Sequence, residues 1–238
     1  MKLPVIEGII ERRMLINFAV DKDVLANYLP SPFRPKLIQG RGIAGICLIR
    51  LRQIRPKGFP AQMGIGSENA AHRIAVEWTE NGKIKEGVYI PRRDTDSHIN
   101  HWAGGRVFPG VHHLAEFDVS ENEESYKLDM RSDDGTGISL LARQTKLFYP
   151  DSVFQDLESA SAFFRKGSIG FSPNQKGYDG LELQTMNWHV DPLAVEEVKS
   201  SFFGNKTNFP EGSVTFDNAL LMKEISHTWH TYQNGFCP

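Results

Sequence analysis

Cysteine is nearly absent from this sequence: Cys47 and Cys237 are the only two in 238 residues. That scarcity excludes a disulfide framework and leaves a buried thiol plus a tail thiol as the simplest reading. No apolar run approaches the length that spans a bilayer as a helix. The opening residues, 1–8, lack the apolar core and cleavage site of a secretion signal, so a reducing cytoplasm is the expected compartment. Charge of one sign is also missing. A formal net charge of -2 argues against nucleic acid or an anionic membrane as the main partner. Glycine-rich phosphate loops, nucleophile elbows and sequence repeats are absent too. Finally, no lysine occurs between Lys85 and Lys127.

What is present is a dense central stretch, Gly87 to Val119. It carries Arg92, Arg93 and Arg106 together with His98, His101, His112 and His113, between runs that read as strands. Titratable side chains crowded beside apolar strand residues suggest the wall of a pocket. Around it the chain reads as strands at hairpin spacing. Glu7 to Val20 and Gly42 to Arg55 are extended, and Ala71 to Trp78 turns through Asn81-Gly82 into Lys83 to Ile90. Tyr126 to Arg131 and Ile138 to Phe148 form a further hairpin. Leu181 to Val190 is strand-like, and Ser213 to Met222 and Lys223 to Tyr232 read as two final strands. Three short helices are expected: one capped by Asp21 and stopped by Pro30, one over Val153 to Lys166, and one opening at Asp191-Pro192 and running to Phe202. The fold class is therefore mainly β, an antiparallel closed barrel or sandwich with a few short helices and a central pocket, in a single domain over residues 1–238.

Several segments together resemble the acetoacetate decarboxylase superfamily, and in particular its branch of bacterial proteins of unknown function. They are Val20-Asp21-Lys22-Asp23-Val24-Leu25 running into Leu29-Pro30-Ser31-Pro32-Phe33-Arg34-Pro35, then Ala44 to Arg50, Ser67 to Arg73, Val88 to Arg93, and Gly104-Gly105-Arg106-Val107-Phe108-Pro109-Gly110. In that family a lysine pair follows a Gly-Arg segment, and its first lysine forms a Schiff base with the oxo-acid. Here Gly110-Val111 and His112-His113 follow instead. Decarboxylation through an imine is therefore not carried over.

The resemblance implies an arginine near the start of the first strand, matched by Arg12 or, one place off, by Arg13. It also implies a glutamate, matched by Glu68. Arg12 is expected to grip a carboxylate, and Glu68 or His112 to move a proton. Arg92 or Arg106 is expected to stabilise oxyanion charge, with His72 and Trp102 contacting the same ligand. On a strand, His112 and His113 point to opposite faces, so one of the two enters the pocket. No metal and no cofactor is expected. The functional expectation is a small carboxylate or oxo-acid, bound or transformed by proton transfer as in a lyase or isomerase, in a chain for which homo-oligomers are common relatives. The alternative is a non-catalytic binding or sensing protein on the same fold.

Overall fold

The second half of the first strand, Met14–Val20, is buried on both faces. A strand of that kind has to be covered twice, and the rest of the chain supplies the two covers. The computed structural model describes residues 4–103, 110–174 and 177–232. In chain order the elements are β1 (Ile6–Val20), α1 (Lys22–Tyr28), the two-residue strands β2 (Arg34–Pro35) and β3 (Leu37–Ile38), β4 (Arg41–Pro56), β5 (Ile65–Glu80), β6 (Lys83–Thr95) and α2 (His98–Ala103). They continue with β7 (His112–Glu121), β8 (Ser125–Ser132), β9 (Gly137–Gln144), α3 (Leu157–Lys166), β10 (Ile169–Asn174), β11 (Gly177–Thr185), β12 (Asp191–Ser200) and β13 (Val214–Tyr232).

Strands β13, β1, β4, β5 and β6 pair in that order and form a middle layer. From β6 the path continues through β7, β8, β9 and β12 back to β13, and separately through β10 and β11 back to β13. One face of the middle layer buries Met14, Ile16, Ile46, Leu48, Ile74 and Leu221 against Leu128, Met130, Ile138, Leu140 and Leu193 of β8, β9 and β12. The other buries Leu15, Cys47, Leu51 and Leu220 against Phe163 and Phe164 of α3, with Leu183 of β11 beside them. All pairings are antiparallel except β10 with β6 and β6 with β7.

Local chemistry explains most boundaries. Asp21 caps α1 by accepting from the amides of Asp23 and Val24. Asp156 and Ser159 make a reciprocal capping box at α3, so that helix begins at Leu157, four residues later than the periodicity alone indicates. Asn81 and Gly82 both take positive φ in the β5–β6 turn.

Other expectations are corrected. The segment read as a helix from Asp191 to Phe202 is β12, because Leu193 to Ser200 ladder against β9. The two runs after Ser213 are one strand, with Glu224 at φ 52 absorbing the break. His98 and His101 do lie on a helix, the short α2. The run Leu181 to Val190 leaves the sheet at Thr185. No helix among the described residues is long and apolar enough to cross a membrane.

Candidate anion site on one face of the middle layer

Directly opposed residues on paired strands present their side chains to the same face. Reading across the ladder, Leu15 faces Cys47, Cys47 faces Ala71, Ala71 faces Arg93, and Arg93 faces His112. Arg13 and Arg73 stand one pleat away in this row, two residues along their strands from Leu15 and Ala71. Cys47, Ala71, Arg93 and His112 of this row, with Arg13 and Arg73, line a cavity of about 140 Å3 that Trp229 of β13 and Asn100 of α2 also border.

Three guanidinium groups converge on this cavity, and each is held by neutral partners. Arg13 Nε donates to Cys47 Sγ at 3.3 Å. Arg73 Nη2 donates to the side-chain Oδ1 of Asn17, and its guanidinium lies 4.9 Å over the Phe164 ring. Arg93 Nε donates to Ser172 Oγ at 2.9 Å. None of the three lies within 4.0 Å of a carboxylate among the described residues. The one acidic wall residue, Asp94, is committed to Arg92 at 2.6 Å. Burial lowers Arg73 and Arg93 to about 10, which leaves both charged at neutral pH.

His112 is the titratable group among these cations. Burial first, and Arg93 second, push it down to about 3, so the ring is neutral. Its Nδ1 lies 3.2 Å from the Gly110 carbonyl oxygen. In a neutral ring that nitrogen carries the hydrogen and donates it, so Nε2 is the unprotonated ring nitrogen. Gly110 makes this entry possible. Its φ is +77°, and a Cβ there would lie 2.5 Å from Ser172 Cβ, the side chain that also holds Arg93. The Gly110 amide donates to Asp179 Oδ2 at 3.0 Å, tying β7 to β11.

Of the residues singled out from sequence, His112 lines this cavity and several others do not. Arg12 and Glu68 sit on the opposite face of the middle layer, where Arg12 Nη2 meets Glu68 Oε2 at 2.6 Å and Arg50 and Glu121 complete a four-residue ion cluster. The carboxylate expected to move protons there is consumed by two arginines. His72 is fully buried in that same opposite core, stacked 4.4 Å from Phe202 and lowered to about 3 by burial. Arg92 turns away from the cavity to Asp94 and Asp134. Trp102 is 72% exposed and lines no part of the cavity. Arg106 lies outside the described residues, as do Gly104, Gly105, Phe108 and Cys237. His113 is half exposed, 4.0 Å from Asp134. The arginines that line the cavity are thus Arg13, the second of the two candidates on β1, together with Arg73 and Arg93. The tandem pairs Arg12-Arg13 and Arg92-Arg93 were the available signal, since alternation sends one member of each to either face.

No lysine lines the cavity among the described residues. Lys36 borders a smaller adjoining void of about 30 Å3, where its Nζ is paired with Glu86 at 2.6 Å and lies 4.1 Å over the Phe163 ring. Among the described residues no group of three His, Cys, Asp or Glu side chains converges in a way that would hold a metal ion.

Known structures repeat this architecture. The chain superposes on an acetoacetate decarboxylase from Legionella pneumophila with a TM-score of 0.60 at 13% identity, covering 97% of this chain and 88% of that one. An acetoacetate decarboxylase-like enzyme from Sphingomonas wittichii RW1 gives 0.62 at 12% identity, with 98% and 95% covered. The enduracididine biosynthesis enzyme MppR, complexed with the condensation product of pyruvate and imidazole 4-carboxaldehyde, gives 0.55 at 11% identity, with 98% and 89% covered. At such identities the likeness establishes the fold, which is acetoacetate decarboxylase-like, and nothing about the chemistry. Comparison with curated proteins finds no match. A family model does match, over residues 10–207. The chain belongs to the DUF2071 family, described as an uncharacterized conserved protein.

Proposed function

We propose that the cavity binds a small 2-oxo carboxylate and that His112 transfers a proton at the carbon next to its carbonyl, without an imine. The observation that carries this reading is the convergence of Arg13, Arg73 and Arg93 on one cavity with no carboxylate paired to any of them among the described residues. Buried cations without a contacting counter-charge are costly, by several kcal/mol each in the absence of compensation, and Asp179 attracts Arg93 only from beyond ion-pair distance. A ligand carboxylate supplies that charge and matches the two-pronged guanidinium geometry. A second guanidinium then stabilises the negative charge that develops on the keto oxygen as a neighbouring proton leaves.

His112 is suited to accept that proton through Nε2. In the empty cavity its low pKa makes it a weak base. A bound anion offsets the field of Arg93, one of the causes of that depression, and so moves the histidine toward the range where it takes up a proton. A structural neighbour, MppR, is known in complex with pyruvate, which supports the choice of ligand class. Among the described residues no lysine lines the cavity, which supports proton transfer over imine chemistry.

The test uses calorimetry with pyruvate and oxaloacetate, followed by proton NMR of pyruvate in deuterated water. Saturable binding is expected, weakened at least about tenfold in Arg93→Met by loss of one charge-assisted contact. Deuterium should enter the pyruvate methyl group with the wild type and not with His112→Gln, which should still bind. Absence of saturable binding for both acids would reject the reading. Binding without exchange would favour the second reading, a non-catalytic carboxylate-binding protein, which the weak basicity of His112 in the empty cavity also favours.

A further inference from the structure

We infer that Cys47 is a covalent-modification site inside this cavity, where its thiol captures small electrophiles that carry a carboxylate. The inference rests on the anion-binding reading above and adds a bond to it.

A buried cysteine by itself is usually a small apolar residue. Cys47 has a different setting. It is 7% exposed, reduced, and part of the cavity wall. Its sulfur already accepts a hydrogen bond from the Arg13 guanidinium at 3.3 Å. Across the ladder its neighbour is Ala71, which has no side chain beyond Cβ, so nothing from that position stands between Cys47 and Arg93.

Two further observations point to a missing ligand at this spot. Arg73, 4% exposed, keeps its Nε buried without a hydrogen-bond partner, and so does Oδ1 of Asn100, 8% exposed. Both residues line the same cavity. Buried polar atoms in native proteins are nearly always satisfied, and here a ligand would satisfy them.

The reacting form of a cysteine is its thiolate; the Cys47 sulfur is in contact with Arg13 and shares its cavity wall with Arg73 and Arg93. A carboxylate held by those groups brings an attached electrophilic carbon to the sulfur, replacing a bimolecular encounter by a positioned one. With a 2-oxo acid, Sγ bonds to the keto carbon, the carbonyl π pair moves to oxygen, and that oxygen takes the proton released by the thiol. The product is a hemithioketal, formed reversibly with nothing lost and no oxidant. With iodoacetate, the sulfur–carbon bond forms as iodide leaves, and the thiol proton goes to solvent.

The two alkylating reagents iodoacetate and iodoacetamide differ in charge and hardly in size, so their ratio reads the cavity directly. The experiment uses the full chain carrying Cys237→Ser, labelled with each reagent at equal concentration and scored at Cys47 by peptide mass. Iodoacetate is expected to react at least about tenfold faster, the reverse of what a thiolate in water does with a like-charged reagent. Pyruvate should slow the labelling, and Arg93→Met should remove the preference. Equal rates, or faster reaction with iodoacetamide, overturn the proposal. If calorimetry shows pyruvate bound while Cys47 stays unlabelled by both reagents, or is labelled at a rate pyruvate does not change, the thiol proposal falls and the binding reading stands. If pyruvate does not bind and neither reagent is preferred, both fall.

Discussion

The two faces of the middle layer carry arginine clusters of opposite character. On one face Arg12 and Arg50 meet Glu68 and Glu121 in a closed cluster of two positive and two negative charges. On the other, Arg13, Arg73 and Arg93 line a cavity with no carboxylate within 4.0 Å of any of them among the described residues, Asp179 attracting Arg93 only from beyond that distance. The first cluster pairs each arginine with carboxylates, although Arg12 Nε stays buried without a partner, and it ties β1, β4, β5 and β7 together. The second has no carboxylate within 4.0 Å of its arginines among the described residues, which is the feature the proposed ligand rests on. The contrast arises from neighbours in sequence, because Arg12 and Arg13 differ only in which side of β1 they leave.

The largest expected effect separates the faces by stability. Glu68→Ala leaves Arg12, whose side chain is 3% exposed, short of a counter-charge, and should cost about 3–5 kcal/mol in urea denaturation. Arg93→Met removes a cation with no carboxylate within 4.0 Å, held by Ser172 and attracted by Asp179 from farther away, so in the absence of ligand it should cost about 1 kcal/mol, well below the Glu68→Ala loss. Equal losses in the two variants would erase the distinction.

Next in size is the ligand response. Pyruvate at a hundredfold excess over its Kd should add about 2.7 kcal/mol to the wild type. It should add the same increment in a gentler variant of the closed cluster, Glu68→Gln, and none in Arg93→Met at that concentration.

Acid reads the buried imidazoles. His72 and His112 are held down to about 3 and His227 to about 4, mainly by burial, from an ordinary value of 6.5. The unfolded chain therefore binds protons over this interval that the folded one refuses. Stability is full above pH 6.5 and falls as pH drops through the interval toward 3. Each histidine contributes a slope of about 1.4 kcal/mol per pH unit. His72→Phe should flatten the stability–pH curve by one such increment and leave ligand binding intact. Bound pyruvate should flatten it through His112 alone.

The smallest expected effect is none at all. Borohydride added with pyruvate should leave the protein mass unchanged, since no lysine lines the cavity among the described residues. A reduced adduct on Lys36, from the adjoining void, would overturn the imine-free reading.

Elements with strong local chemistry were legible in the sequence: α1 behind Asp21, the Asn81-Gly82 hairpin, and the limits of β1 and β4. Elements decided by pairing were not. Leu193, Val195 and Val198 fit a helix or a strand, and the ladder to β9 decides for the strand. The site follows the same rule. Cys47, Ala71, Arg93 and His112 are spatial neighbours although roughly twenty residues separate each from the next, a distance no local pattern bridges. Arg73 drew no notice because His72, beside it, is the more suggestive residue type and the more ordinary side chain in the fold.

Strand β13 runs from Val214 to Tyr232 and pairs with β1, β11 and β12, so it borders both cores at once. Neither core owns its strands: β1, β4, β5 and β13 lend one side to each. Melting one half strips a wall from the other, and the chain should therefore lose its structure in a single step. An occupant lodged on the arginine-lined side consequently protects amides as far away as β8 and β9 from hydrogen exchange, across a sheet it never touches.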